Sequence, residues 1–205
     1  MARCGSRHSG RLLRLEKGFF YSFNVHIIEG PVGAGKSTFA SFLASRTEGV
    51  HIALDEWFAN LFSPDRPTGN FVPWYIERKE RLIDLIWRHS QRLLASEKDV
   101  ILELGLIQRG PRVEFCRKVQ ECGYSLVIHV LDAPVDVRRE RVRRRNTGRG
   151  ATFSMVVPDH IFDMANSLWE VPDEIECEEF EVKFVDSLQF VPTDAQPSGA
   201  GDAAV

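Results

Sequence analysis

The sequence from Gly30 to Thr38 reads GPVGAGKST and matches the pattern GxxxxGK[ST] without a gap. It follows an apolar run, Phe20–Glu29, that predicts a buried strand, and it leads into Lys36–Arg46, which predicts a helix. Glycines let the backbone curl so that its N–H groups point at phosphate oxygens, and the helix start adds the positive end of its dipole. The motif therefore predicts a binding site for a nucleoside triphosphate.

Individual residues of this loop have distinct expected roles. The Lys36 ammonium would reach the β and γ phosphates, and the Ser37 hydroxyl would hold Mg²⁺. The residues expected to bind the triphosphate are Gly30, Gly33, Ala34, Gly35, Lys36, Ser37 and Thr38.

Beyond the loop, apolar runs typical of strands alternate with longer segments typical of helices. The predicted strands are Val50–Leu54, Val100–Leu104, Ser125–Leu131 and Glu181–Val185. The predicted helices are Ile76–Ser96, Pro111–Cys122 and Pro134–Arg145, and Pro64–Pro73 predicts a loop. This alternation indicates an α/β fold with a mainly parallel sheet, in which ligands bind at the carboxyl ends of the strands.

Length and local composition indicate one domain with two tails. The chain has 205 residues, and a domain typically takes about 150. Residues 1–19 are basic and predict a mobile tail, with a transit peptide as the alternative. Residues 20–190 form the predicted domain, and residues 191–205, rich in Pro, Gly and Ala, predict a disordered tail.

Overall composition narrows the class of protein and its partners. The net charge of −3 and the pI near 6.1 disfavour a nucleic-acid partner. No apolar run approaches the roughly 20 residues of a membrane helix. The four cysteines form no CxxC pair, so they indicate neither a disulfide framework nor a zinc site. We expect a cytoplasmic protein; the sequence does not indicate an oligomeric state.

Two acidic residues stand where a ligand would bind. Asp55 follows the second predicted strand, and it is either the base that accepts a proton from an attacking hydroxyl or an acid in the first turn of a helix. Glu103 lies on an otherwise apolar strand, where a carboxylate needs a partner. That partner could be Mg²⁺ through a water, an acceptor hydroxyl or a structural arginine.

Seven arginines cluster between residues 138 and 149. On a helix, three of them share a stripe bordered by Val135 and Val142, which we expect to face the core: Arg138, Arg141 and Arg145. This stripe could neutralise a migrating phosphoryl group. Alternatively, the cluster is a solvated basic surface paired with the acidic stretch Glu170–Glu181. Residues 146–158 show no periodicity and predict a flexible lid.

Four segments together resemble the small P-loop kinases grouped with zeta toxins, chloramphenicol phosphotransferase and gluconate-type kinases, in particular bacterial ATP-binding proteins of unassigned substrate. The segments are Gly30–Thr38, Asp55–Trp57, Val100–Arg109 and Leu131–Asn146. The resemblance implies a three-layer P-loop NTPase sandwich with strand order 2-3-1-4-5, Asp55 as catalytic base, and Arg141 and Arg145 as lid arginines. The chain departs from that family at Glu103, where Asp is usual, and at residues 106–108 before Arg109.

The expected activity is transfer of the γ-phosphoryl group of ATP, with Mg²⁺, to an alcohol of a small molecule such as an antibiotic, nucleoside or sugar. The expected acceptor site comprises Asp55, Trp57, Glu103 and Arg109. Aromatic residues such as Trp57 could line that site or simply pack in the core. A kinase of polynucleotide 5′-hydroxyl ends and a non-kinase ATP-binding or ATP-hydrolysing module remain as alternatives. The chain has no NKxD segment, which disfavours most GTPases.

Overall fold

The computed structural model describes residues 24–148 and 156–190. The strands are β1 (Asn24–Glu29), β2 (Val50–Ala53), β3 (Val100–Glu103), β4 (Ser125–Asp132) and β5 (Glu181–Asp186). The helices are α1 (Lys36–Thr47), α2 (Leu54–Phe62), α3 (Phe71–Ala95), α4 (Arg109–Glu121), α5 (Val135–Gly148), α6 (Asp159–Ser167) and α7 (Glu174–Glu179). A short 3-10 helix, Ser63–Asp65, follows α2.

The strands form one parallel sheet in the order β2-β3-β1-β4-β5. Each crossover from one strand to the next carries at least one helix, as parallel pairing requires. The carboxyl ends of all five strands therefore lie at one edge of the sheet. The α/β fold and the strand order expected from the sequence are both confirmed.

The inner strands β1, β3 and β4 are buried on both faces of the sheet, and alternate residues of each strand point to opposite faces. Ile27 and Leu102 belong to the larger core cluster, which packs with α2, α3 and α4. Their neighbours Ile28 and Ile101 belong to a second cluster with Phe39 of α1. Helices thus cover the sheet on both sides, which gives the expected three-layer sandwich.

Several predicted boundaries are wrong by a few residues. Leu54 opens α2 instead of ending a strand, so Asp55 lies in the first turn of a helix. Helix α3 begins at Phe71 instead of Ile76, and it takes in Pro73, which was expected in a loop. Proline is tolerated in the first turn because the amide there has no intrahelical partner. Val135 is 40% exposed and does not face the core, whereas Val142 is buried as expected.

The segment after α5 contains two helices, α6 and α7, that the sequence pattern did not predict. Of the predicted lid, Asn146–Gly148 is the last part of α5, and residues 149–155 lie outside the described residues. Residues 1–23 and 191–205, which include both predicted tails, also lie outside them. Among the helices of residues 24–148 and 156–190, none is both long and apolar enough to cross a membrane.

Candidate active site

The loop between β1 and α1 is the centre of the site. Gly30 has a φ of +142°, and a Cβ added there would collide with the carbonyl oxygen of Leu131. Gly33 has a φ of +80°, and its Cβ would lie 2.5 Å from the carbonyl oxygen of Arg138. Both positions therefore require glycine. The loop packs tightly against the end of β4 and against α5.

Lys36, the first residue of α1, reaches back over this loop. Its Nζ donates hydrogen bonds to the carbonyl oxygens of Gly30 at 3.0 Å and Pro31 at 3.1 Å. The ammonium thus lies inside the curl of the loop, beside the N-terminus of α1, where both the charge and the helix dipole favour an anion.

Ser37 and Glu103 meet next to the loop. The Ser37 hydroxyl donates to Glu103 Oε1 at 3.1 Å, and His51 Nε2 lies 3.5 Å from Glu103 Oε2. Burial by itself would raise the pKa of Glu103, but the His51 imidazole, the Lys36 charge and the Ser37 hydroxyl outweigh it and hold that pKa below its usual value. Glu103 is therefore an ionised carboxylate.

A hydroxyl and a carboxylate are the oxygen ligands that a hard cation such as Mg²⁺ prefers. Glu103 Oε2 is buried and accepts no hydrogen bond from the residues that the structure describes, although His51 Nε2 lies 3.5 Å from it. Ser37 and Glu103 therefore fit a magnesium ion. Within those same residues, no cluster of three or more His, Cys, Asp or Glu side chains could hold a metal by itself.

Asp55 lies near Glu103 because β2 and β3 are paired, with Ala53 opposite Glu103. Asp55 is exposed to solvent as a residue, although enough protein lies around its carboxylate to desolvate it. This desolvation raises the pKa of Asp55, and the Glu103 carboxylate raises it further. Positive charges on Lys36, Lys79 and Arg145 act in the opposite direction.

Lys79 of α3 is a cation of this cleft that the sequence analysis missed. Its Nζ donates to the carbonyl oxygen of Gly105 at 2.8 Å. Burial lowers the pKa of Lys79, while the charges of Asp55 and Glu29 oppose that shift. A single lysine in a long amphipathic helix carries no distinguishing sequence signal, so only the fold shows that it lies within electrostatic reach of two carboxylates.

The arginine stripe of α5 is divided between two roles. Arg141 donates to Ser187 Oγ at 2.9 Å and to the Gly33 carbonyl oxygen at 3.5 Å. Arg145 lies near Asp55, and its Nε is buried with no partner in the described part of the chain. Arg138 instead donates to the backbone carbonyl oxygens of Ala133 and Val32 and to the Asn166 side chain. Its role is therefore structural, because it connects α5 to the phosphate loop and to α6.

The alternative partners predicted for the arginine cluster are wrong. Arg139 pairs with Asp163 at 2.6 Å and Arg143 with Asp159 at 2.8 Å, and both acids belong to α6. The acidic stretch Glu170–Glu181 pairs instead with arginines of α4, which are Arg109, Arg112 and Arg117. Because these partners are remote in sequence, charge alone could not indicate which pairs form.

A cavity of about 750 Å³ opens between the loop, the end of α5 and the turn after β5. Its lining includes Gly33, Lys36, Ser37, Glu103, Arg145 and Phe190. This volume lies in the usual range of about 300–1,000 Å³ for pockets that hold small ligands and cofactors. Five of the seven expected phosphate-binding residues line this cavity, whereas Gly30 and Ala34 do not. The arginines Arg141 and Arg144 of α5 line it as well.

Arg109 and Trp57 lie outside that cavity. Arg109 Nε is 2.8 Å from Asp173 Oδ2, and its backbone N–H donates to Glu170 Oε2 at 2.6 Å. Trp57 packs against the larger core cluster with its ring 6.0 Å from that of His89. Their expected contacts with an acceptor stay predictions.

The fold and the loop define a P-loop NTPase domain, in which a Gly-rich loop joins the first strand to a helix of a parallel α/β sheet. More specifically, the AAA domain family model matches residues 25–169, so the chain belongs to that family. No curated protein matches the chain significantly.

Solved structures share this fold at low sequence identity. A proposed kinase from Chloroflexus aurantiacus has a TM-score of 0.61 at 16% identity, covering 82% of this chain and 87% of that one. A sugar kinase from Janibacter sp. has a TM-score of 0.54 at 16% identity, covering 82% and 87%. A chain of the Pnkp1/Rnl/Hen1 RNA repair complex has a TM-score of 0.58 at 20% identity, covering 82% of this chain and 49% of that one.

Proposed function

We propose that the protein is a kinase that transfers the γ-phosphoryl group of ATP to an alcohol of a small molecule. The observation that carries this proposal is the position of Asp55. Its carboxylate lies within the electrostatic reach of Lys36 and Arg145, which line the cavity of about 750 Å³ beside the phosphate loop. Asp55 itself does not line that cavity. A carboxylate at that point could receive a proton from a second substrate, which supports the role of a base.

The first part of the mechanism is binding of the nucleotide. The loop amides and Lys36 would hold the β and γ phosphates, and Ser37 would bind Mg²⁺ with Glu103 beside it. When bound, this ion neutralises charge on the phosphate oxygens. Lys36 would exchange its two carbonyl partners in the loop for phosphate oxygens at little cost, because its ammonium already lies there.

The second part is activation of the acceptor. Ionised Asp55 would accept the proton of the acceptor hydroxyl as its oxygen attacks the γ-phosphorus and the bond to the β-phosphate oxygen breaks. The raised pKa of Asp55 makes it a stronger base than an ordinary aspartate, which favours this role near neutral pH. Arg141 and Arg145 would neutralise charge on the phosphoryl group during transfer.

A small groove between α3 and the β3–α4 loop is the best place for the acceptor. It has a volume of about 170 Å³, and its lining includes Ile76, Lys79, Ile83, Leu106 and Gln108. Lys79 connects this groove electrostatically to Asp55. The volume favours a small acceptor, and neither Trp57 nor Arg109 belongs to the lining of this groove.

The polynucleotide-kinase alternative lacks a comparable observation. The outward arginines Arg139 and Arg143 are paired with acids of α6, so they do not form an open basic surface for a nucleic-acid backbone. Strongly salt-dependent binding of short oligonucleotides would support this alternative against the small-molecule kinase.

The decisive experiment is a transfer screen with labelled ATP over sugars, nucleosides, antibiotics with free hydroxyls and oligonucleotides, read by the mass shift of the acceptor. Asp55→Asn should keep ATP affinity and lose transfer, whereas Lys36→Ala should lose ATP binding. The exposed neighbour Glu56→Gln is the matched control and should behave as the wild type.

Normal transfer by Asp55→Asn would refute the assignment of Asp55 as the base. Unchanged ATP turnover by Lys36→Ala would refute the assignment of Gly30–Thr38 as the phosphate-binding loop. ATP hydrolysis with no phosphorylated acceptor in the screen would favour the non-kinase module.

A further inference from the structure

Glu29, the last residue of β1, is a buried acid directly before the phosphate loop that the proposed mechanism does not use. Its side chain is fully buried. Oε1 accepts a hydrogen bond from the backbone N–H of Leu106 at 3.1 Å, while Oε2 is buried and has no partner among the described residues. An ionised carboxylate with a single donor is costly in such a place, and a protonated one costs much less.

Within residues 24–148 and 156–190, the cations that act on Glu29 are all bonded to other groups. Lys36 of α1 donates to the carbonyl oxygens of the phosphate loop, and Lys79 of α3 donates to Gly105. Arg112 of α4 makes a two-point ion pair with Glu176. The remaining titratable neighbour is the Cys116 thiol of α4, whose pKa burial and Glu29 raise to about 12, so it is neutral.

Burial therefore dominates the ionisation of Glu29. It raises the pKa of this acid to about 7, against the lowering effects of Lys36, the Leu106 amide, Arg112 and Lys79. Lys36 is the largest of these lowering effects. A triphosphate bound at Lys36 would cancel part of that positive field, and the acid would then hold its proton more tightly.

The contact of Glu29 with Leu106 links two parts of the cleft. Leu106 belongs to the β3–α4 loop, which lines the groove assigned to the acceptor. The same loop is held by Lys79 at the Gly105 carbonyl and by Arg112 at the Leu106 carbonyl, at 3.2 Å. Glu29 is the member of this set that joins the loop to the strand leading into the phosphate loop.

We propose that Glu29 is a positioning residue that ties the β3–α4 loop to the phosphate loop and takes up a proton when nucleotide binds. Because a neutral acid accepts the Leu106 hydrogen bond less strongly than a carboxylate, nucleotide binding loosens the loop beside the acceptor groove. This inference rests on the proposed nucleotide binding. Because binding is coupled to uptake of a proton by Glu29, nucleotide affinity should fall as the pH rises through about 7. Below that range Glu29 is already protonated, so it has no effect on the affinity.

Proton uptake is measured by titration calorimetry with Mg²⁺ and a non-hydrolysable β,γ-imido analogue of ATP. Each titration is repeated in buffers of different ionisation enthalpy between pH 6 and pH 8.5. Glu29→Gln keeps the shape of the side chain and removes its proton equilibrium. Glu114→Gln, at an exposed position of α4, makes the same change of charge away from the loop and is the matched control.

On binding the nucleotide above pH 7, the wild type and Glu114→Gln should take up a fraction of a proton through Glu29. Glu29→Gln lacks this contribution, so its proton uptake should be smaller by the same fraction. Protonation of the nucleotide itself is common to all three proteins and cancels in the difference. Equal uptake in wild type and Glu29→Gln would overturn the role of Glu29 while leaving the proposed function intact. Absence of binding by the wild type would overturn both. Should Glu29→Gln fail to fold, wild-type uptake that does not rise between pH 6 and pH 8 would still refute the proposal.

Discussion

The Ser37 hydroxyl donates a hydrogen bond to Glu103 Oε1 across 3.1 Å, which joins the first turn of α1 to the end of β3. The two residues are far apart in the sequence but adjacent in space, because β1 and β3 are paired in the sheet. Their oxygens form the candidate magnesium site, and the pair therefore provides a direct test of it.

The substitution Glu103→Gln should raise the Mg²⁺ concentration at half-maximal turnover by about 10–100-fold, as loss of a residue that orients a metal ligand commonly does. The measurement is a Mg²⁺ titration of ATP turnover at saturating ATP. Glu103→Asp keeps the charge with a shorter reach and should lose less. An unchanged Mg²⁺ midpoint in Glu103→Gln would rule out Glu103 as part of the metal site.

Lys79→Met should shift the pH dependence of turnover. The Lys79 charge lowers the pKa of Asp55, so its removal raises that pKa and moves the acid limb of the kcat/KM profile to higher pH. Lys79→Arg restores the charge and should return the limb towards its original position. An acid limb that does not move in Lys79→Met would mean that Asp55 is not the group titrating there.

Arg145→Met should lower kcat by about 10²–10³-fold, in the range found when one stabilising donor is removed from a transition state. Nucleotide affinity should change much less, because Lys36 and the loop amides remain. The comparison is Arg143→Met, an exposed arginine paired with Asp159. Equal losses in the two variants would indicate a general effect on α5 and contradict a specific role of Arg145.

The Arg112–Glu176 pair should be important for stability. Both side chains are fully buried, and the guanidinium binds the carboxylate at 2.8 and 2.9 Å. Arg112→Met leaves a buried carboxylate unpaired and should cost about 3–5 kcal/mol in the free energy of unfolding.

Two further variants control this experiment, which is read by urea denaturation. Arg117→Met breaks the corresponding ion pair at the surface, with Glu179, and should lower the free energy of unfolding by only about 0–1 kcal/mol. The double variant Arg112→Met/Glu176→Met should recover much of the loss. If Arg112→Met lowers the free energy of unfolding no more than Arg117→Met does, burial does not explain the contribution of the Arg112–Glu176 pair to stability.

Glu29→Gln should change how stability depends on pH. The folded protein raises the pKa of Glu29 from 4.5 to about 7, so folding favours the protonated acid and the wild type loses stability as pH rises between those values. That shift corresponds to about 3 kcal/mol. The difference in unfolding free energy between variant and wild type should grow by about this amount from pH 4.5 to pH 8. A constant difference across this range would contradict the raised pKa.

The sequence by itself determined the phosphate loop and the order of most elements. The loop is encoded in nine consecutive residues, because glycine conformations and the start of α1 are local properties. Strands β1, β3 and β4 could be located because each is a short run that is largely buried between the two helical layers of a parallel sheet. The edge strand β5 is mostly exposed, so its pattern is weaker. The prediction failed for α6 and α7, whose patterns extend over only nine and six residues.

Only the tertiary structure decided which charges meet. Lys79, Glu29 and Arg112 come from three elements remote in sequence, and none belongs to a motif. Likewise, Arg138 and Arg145 share one helical stripe, yet the first fastens the fold and the second lines the cavity. The physical reason is that backbone conformation depends on near neighbours, whereas burial and electrostatic interactions depend on distances that only the packed chain establishes.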